Sequence, residues 1–98
     1  MLRITVLNTD PETTRLKLEG KLAHEWVWEA ERTWKALPAL HQVERLVVDL
    51  VAVSFVDDGG RRLLTEMHRA GAELIGAGPL IPSLIEEIKG ARAFREGA

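Results

Sequence analysis

Asp57, Asp58, Gly59 and Gly60, followed directly by Arg61 and Arg62, form the densest concentration of chemically capable residues in the 98-residue chain. Two adjacent carboxylates could serve as a general acid/base pair, each raising the other's pKa, or as half of a hard-cation site. Neighbours on a chain need not converge, however, and the stretch lacks the spaced oxygen ligands of a calcium loop. The better reading is a helix cap, in which an aspartate accepts backbone N–H bonds at the positive end of the helix dipole. Arg61 and Arg62 then sit in a first turn where positive charge is unfavourable, by about a few tenths of a kcal/mol each. Helix stability did not select them, so either they pair with the aspartates or they face a charged partner.

Other residues with chemical potential are scattered. His24, His41 and His68 fall on two predicted helices and in a loop, with no ligand spacing among them. Ser54 and Ser83 lack the surroundings of a nucleophile elbow, and Ser54 is expected to point inward or bond locally. "GAGPLI", Gly76 to Ile81, begins like a dinucleotide fingerprint and then has Ile81 at the third glycine position, which makes it a turn before a proline-started helix. No acid, base, nucleophile or metal set can be assembled, so an enzyme is not expected, and neither is a cofactor. Of three tryptophans, Trp26 and Trp34 lie on a core stripe, whereas Trp28 lies off it and is a candidate peripheral contact.

The elements that must position these residues follow from hydrophobic periodicity. Leu2, Ile4 and Val6 alternate with Arg3 and Thr5; "NTDPE" supplies turn chemistry; Leu16 and Leu18 alternate with Arg15, Lys17 and Glu19. That pattern predicts a hairpin ended by Gly20. Leu22, Trp26, Ala30, Thr33, Trp34 and Leu37 fall on a helical stripe, predicting a helix stopped by Pro38. "RLVVDLVAV" has contiguous apolar residues, as expected of a central parallel strand buried on both faces. Past the corner, Leu63, Leu64, Met67 and Ala70 predict a second helix capped by Gly71. "AELIGAG" reads as a short strand, and "PLIPSLIEEIKG" as a last helix with Leu84, Ile85 and Ile88 inward.

The expected architecture is therefore α/β: one domain over residues 1–98, a mixed sheet of four or five strands with three helices, and a tail over 91–98 expected to fray. A composition of 46% hydrophobic and 29% charged residues with net charge −2 carries no nucleic-acid footprint. Absence of cysteine removes disulfides and thiolate sites and suits a reducing compartment. No apolar run approaches the ~18 residues of a spanning helix, and "MLRITVL" lacks a signal-peptide core. A cytoplasmic protein without direct membrane insertion is the expectation.

The chain resembles the STAS domain family, typified by bacterial anti-sigma factor antagonists. The resemblance rests on "VVDLVAVSFVDDGGRRLL", similar to the family's D-L-x-x-V-x-F-x-D-S-S-G-L, with Asp49, Leu50, Val53, Phe55, Asp57 and Gly60 matching. "LEGKLA" is similar to the G-E-L-D segment, keeping Gly20 and Leu22, while Lys21 and Ala23 depart from it. "GAGPLIPSLIEEI" is similar to the last strand and helix. The resemblance implies a non-catalytic module for signal transduction that binds a protein through the Asp57–Arg62 corner. In such antagonists the first serine of D-S-S-G is phosphorylated by an anti-sigma kinase, switching the interface by charge. Asp58 stands at that position, Gly59 at the next, and Arg61 replaces an apolar residue, so the serine switch does not carry over. The implied partner is an anti-sigma factor or kinase-like regulator. The alternative is the ATPase of an ABC-type lipid transport complex, whose STAS subunits often carry D-T-G-G; a homodimer stays open in both.

Overall fold

The computed structural model describes every residue except Thr9, residues 41–43 and Ala98, with the side chains of Ala39, Leu40 and 91–97 also outside the description. In chain order the elements are β1 (Leu2–Asn8), β2 (Thr13–Leu22), α1 (Glu25–Leu40), β3 (Arg45–Val56), α2 (Asp58–Arg69), β4 (Glu73–Ile75) and α3 (Ile81–Gly97). The strands form one sheet in the order β1-β2-β3-β4, with β1 antiparallel to β2 and the other neighbours parallel. The "NTDPE" turn works through Asp10, whose Oδ1 accepts the N–H groups of Glu12 and Thr13, each at 2.8 Å.

Alternation places Leu16, Leu18, Val48, Leu50 and Leu74 on one sheet face, in a core completed by Ala30, Leu63, Leu64, Met67, Ile81, Ile85 and Ile88 from the three helices. Helix α2 lies between α1 and α3 and touches both. The opposite sheet face is open. Its residues, including Arg3, Thr5, Leu7, Arg15, Lys17, Glu19 and Glu73, are exposed or half-buried, and only Val47 and Asp49 in the middle of the sheet are buried. The middle of β3 is buried on both faces as expected of an inner parallel strand, over the successive residues Val47, Val48, Asp49 and Leu50, although on the open side this burial does not extend to its later residues. Past Leu50 two β-bulges against β2 interrupt the alternation, where Lys17 and Glu19 pair with Asp49 and Ala52, and Gly20 and Lys21 pair with Val53 and Phe55. Each bulge resets the alternation. Val53 and Val56 thereby join the core side, and Val51 and Phe55 are left about half exposed, at 52% and 51%.

Both bulges are pinned. Asp49 accepts the Val51 N–H on Oδ1 and Arg15 Nη1 on Oδ2, each at 3.0 Å, while Ser54 Oγ donates to the Gly20 carbonyl at 3.2 Å. Ser54 is therefore exposed and bonds across to the neighbouring strand, not inward or within its own segment as expected. Gly20 does not end β2: it holds φ +105° inside the strand, where a Cβ would run into the Met1 carbonyl that accepts the Lys21 N–H at 3.1 Å. The strand continues to Leu22, which is fully buried as a strand residue and not on the first helix.

One helix boundary and one core assignment also depart from expectation. Helix α1 includes Pro38 and continues to Leu40. The proline removes a donor to the Trp34 carbonyl so near the end that only two more residues follow. Ala70 is the exposed C-cap of α2, not a core residue; Gly71, at φ +101°, follows as expected, with its N–H on the His68 carbonyl at 3.0 Å. Helix α3 runs from Ile81 to Gly97 in its described backbone. Gly90 costs about 1 kcal/mol relative to alanine, and the good helix formers after it carry the helix on.

Candidate functional site

The corner is built from the end of β3 and the start of α2. Asp57 is the N-cap residue, with extended backbone at φ −85° and ψ −177°, and its Oδ1 accepts the Gly60 N–H at 2.8 Å. Its Oδ2 accepts the His24 N–H at 2.9 Å. One carboxylate therefore ties the β2–α1 junction to the start of α2. These bonds, first from His24 and then from Gly60, hold the Asp57 carboxyl below the ordinary aspartate range. His24 stands just ahead of α1 with φ 55°, not on the helix, and its Nδ1 lies 4.0 Å from Asp57 Oδ2. His68 is on α2 away from this cluster, and the third histidine lies outside the described residues.

The two glycines have different roles. A Cβ on Gly60 would stand 2.5 Å from the Leu22 carbonyl oxygen, 2.9 Å from Val56 Cγ1 and 3.0 Å from Leu22 Cγ. Only hydrogen fits there, because α2 starts directly on the last residue of β2. A Cβ on Gly59 would meet Asp57 Oδ1 at 3.5 Å and Val27 methyl carbons at 3.9 Å, which is ordinary contact. The fold has no steric need for glycine at position 59.

Asp58 points out of the first turn of α2, exposed and outside every hydrogen bond and ion pair among the described residues. Arg61 pairs with neither aspartate: its Nη2 lies 2.9 Å from Glu87 Oε2 on α3, with both side chains about half exposed. Sequence reasoning missed this bridge because nothing local links positions 61 and 87. It explains why a cation is tolerated near a helix N-terminus. Exposed bridges of this kind contribute about 0–1 kcal/mol. Arg61→Ala is thus expected to shift the urea midpoint only slightly, and a loss above about 1.5 kcal/mol would show a larger role. Arg62 is exposed and has no ion pair among the described residues.

Trp26 and Trp34 pack partly buried against the core, and Trp28 is 67% exposed, as their positions relative to the stripe predict. Trp28 is not at the corner: it borders a shallow groove with Leu2, Ile4, Glu25, Trp26 and Glu29. The "GAGPLI" segment is a turn with Gly78 at φ +86°, and Ile81, where a fingerprint glycine would stand, is a buried core residue. Among the described residues no group of three or more aspartate, glutamate or histidine side chains is placed to hold a metal ion, and no helix is long and apolar enough to cross a membrane.

No family model matches the chain, and no curated protein sequence is similar to it. Solved structures are similar. The anti-sigma factor antagonist SpoIIAA in its unphosphorylated form aligns with a TM-score of 0.66 at 18% identity, over 87% of this chain and 83% of that one. An antisigma-factor antagonist STAS domain from Rhodobacter sphaeroides gives 0.55 at 22% identity, over 79% and 86%. A protein from Shewanella loihica PV-4 with a SpoIIAA-like fold gives 0.53 at 16% identity, over 81% and 69%. The four-stranded mixed sheet with three helices is therefore the SpoIIAA-like STAS fold. At such identities the likeness is one of fold, and function has to be argued from the site.

Proposed function

We propose that the chain is a non-catalytic regulatory module, a single cytoplasmic domain over 1–98 that binds a protein partner through Asp57, Asp58, Gly59, Gly60, Arg61 and Arg62. The observation carrying this reading is Asp58: an exposed carboxylate without a partner among the described residues, on a corner whose backbone is fixed by Asp57 and Gly60. Binding charges on a rigid element lose little entropy on association, which suits recognition. Asp58 holds the position that the anti-sigma antagonist pattern gives to a phosphorylatable serine. Its single negative charge is a partial, permanent equivalent of a phosphate of about −1.5 to −2. The partner in this reading is an anti-sigma factor or kinase-like regulator.

A second reading, binding to the ATPase of an ABC-type lipid transporter, is supported by Gly59. The fold does not require glycine there, so its presence fits close approach of a partner backbone, and the D-T-G-G corners of such subunits resemble it in this position. Pull-down with the wild-type chain, followed by mass spectrometry, separates the readings: a kinase-like regulator supports the first and an ABC ATPase the second. With the recovered partner, Asp58→Lys is expected to weaken binding at least about tenfold, equal to about 1.4 kcal/mol. An unchanged Kd would place the interface elsewhere. Incubation with the kinase and ATP is expected to leave residues 57–60 unmodified, and phosphate there would overturn the account of Asp58.

A further inference from the structure

The free edge of β1 has the hydrogen-bonding geometry and side-chain order for pairing with itself. Lys21 N–H donates to the Met1 carbonyl, and the register pairs Arg3 with Glu19, Thr5 with Lys17 and Leu7 with Arg15. The odd-numbered residues of β1 are therefore those that exchange backbone bonds with β2. Leu2, Ile4, Val6 and Asn8 turn their N–H and C=O groups outward, along an edge with no neighbouring strand in the sheet. The other edge, β4, has only three residues. β1 has seven, with no proline and one charged side chain, Arg3. It lacks the usual protections of an exposed edge.

The apolar side of this edge is also incompletely covered. Leu16 and Leu18 of β2 are fully buried, yet Ile4 and Val6 beside them are only partly so. The groove bordered by Leu2, Ile4, Trp26 and the exposed Trp28 runs along the same side. It lies where an added strand would place its own inward side chains.

We propose that two copies of the chain pair β1 with β1, antiparallel about a two-fold axis at Thr5, so that the two sheets become one. This register is the one in which all four outward-facing residues bond: Leu2 opposite Asn8 of the second copy, and Ile4 opposite Val6. On the core side the apolar pair Ile4–Val6 forms twice and lies beside the Trp28 groove. On the open face Arg3 lies opposite Leu7, so the two arginines stay about 14 Å apart along the strands, four residues at ~3.4 Å each. Shifting the axis to Arg3 would set like charges face to face, and the sequence selects against that register. The symmetric use of one segment is the isologous contact expected of a two-fold dimer.

The chain contains no cysteine, so single substitutions report the register directly. At the axis the two Thr5 positions form a non-hydrogen-bonded pair with Cα atoms ~4.5 Å apart, within disulfide range. Thr5→Cys is expected to give a disulfide-linked dimer on mild oxidation at tens of micromolar, and Arg3→Cys to remain largely unlinked. The wild type is expected to sediment as a dimer. Thr5→Glu, which faces Lys17 within its own sheet but a second carboxylate across the axis, is expected to sediment as a folded monomer with an unchanged circular dichroism spectrum. A wild type that stays monomeric at about 100 μM overturns the proposal, as does equal cross-linking of Arg3→Cys and Thr5→Cys, or a dimer that Thr5→Glu leaves intact.

Discussion

Gly60→Ala is expected to destabilise the protein by about 1–2 kcal/mol, while the same substitution one residue earlier, Gly59→Ala, is expected to stabilise it by about 0.5 kcal/mol. Alanine is favoured over glycine by up to about 1 kcal/mol in a helix, and both positions lie in the first turn of α2. At Gly59 nothing opposes that gain, because the new methyl makes ordinary contacts at 3.5 and 3.9 Å. At Gly60 the methyl would press on the Leu22 carbonyl oxygen at 2.5 Å. That atom is backbone at the end of β2 and also accepts the Asp57 N–H at 3.2 Å, so it cannot swing aside like a flexible side chain. Either α2 lifts away from the sheet, disturbing fully buried Leu64 and Met67, or the end of β2 shifts. Overpacking of this kind costs about 1–3 kcal/mol and outweighs the propensity gain. Urea denaturation of the two variants checks the opposite signs, and a stabilised Gly60→Ala would show that α2 does not start against Leu22.

Asp57→Ala is the second large effect expected, a loss of about 2 kcal/mol. Removal of an N-cap side chain alone costs about 1 kcal/mol, and here the same carboxylate also holds the His24 N–H. The pH dependence separates charge from shape. Because the folded pKa of Asp57 is depressed, its contribution is present above the unfolded aspartate pKa and is lost as pH falls through the folded one. In the unfolded chain Asp57 protonates near the ordinary value of about 3.9, so the loss begins there and is complete only at lower pH. Asn at position 57 can still cap α2 through its one carbonyl oxygen but cannot also accept the His24 N–H, so Asp57→Asn is expected to retain about half of the Asp57 contribution at neutral pH while flattening the stability–pH curve below about pH 4. Urea midpoints measured between pH 2.5 and 7 check this. Parallel curves for wild type and Asp57→Asn would show that the charge on Asp57 contributes nothing.

The two predictions concern the scaffold of the corner, and the binding test at Asp58 depends on it. Asp57 and Gly60 are committed to the fold, whereas Asp58, Gly59 and Arg62 have no structural task among the described residues. That division lets Asp58→Lys report on recognition with little effect on stability. The β1 edge and the corner use different residues on either side of β2, so Thr5→Glu and Asp58→Lys test self-association and corner binding separately.

Much of this protein was legible in local sequence order. Alternation in "LRITVL" and "TRLKL" determined the hairpin, since a period of two puts one set of side chains on one face whatever lies beyond it. An aspartate before a helical stripe determined the α2 cap, and Gly71 determined its end, because capping depends on a few consecutive residues. The resemblance carried by Asp49, Leu50, Val53, Phe55, Asp57 and Gly60 pointed to the STAS fold that the solved structures share. Whatever depended on residues far apart in the chain was decided by tertiary structure alone. The bulges of β3 follow from its register with β2 and from Asp49 meeting Arg15, contacts that no local pattern announces. Arg61 found Glu87 on another helix, not the adjacent aspartates. In sequence, "DDGG" divided only by resemblance, into Asp57 and Gly60 that match the family pattern and Asp58 and Gly59 that depart from it. Contact with Leu22 and His24 made Asp57 and Gly60 structural and left Asp58 and Gly59 without a structural task among the described residues, because burial and distance are properties of the folded chain.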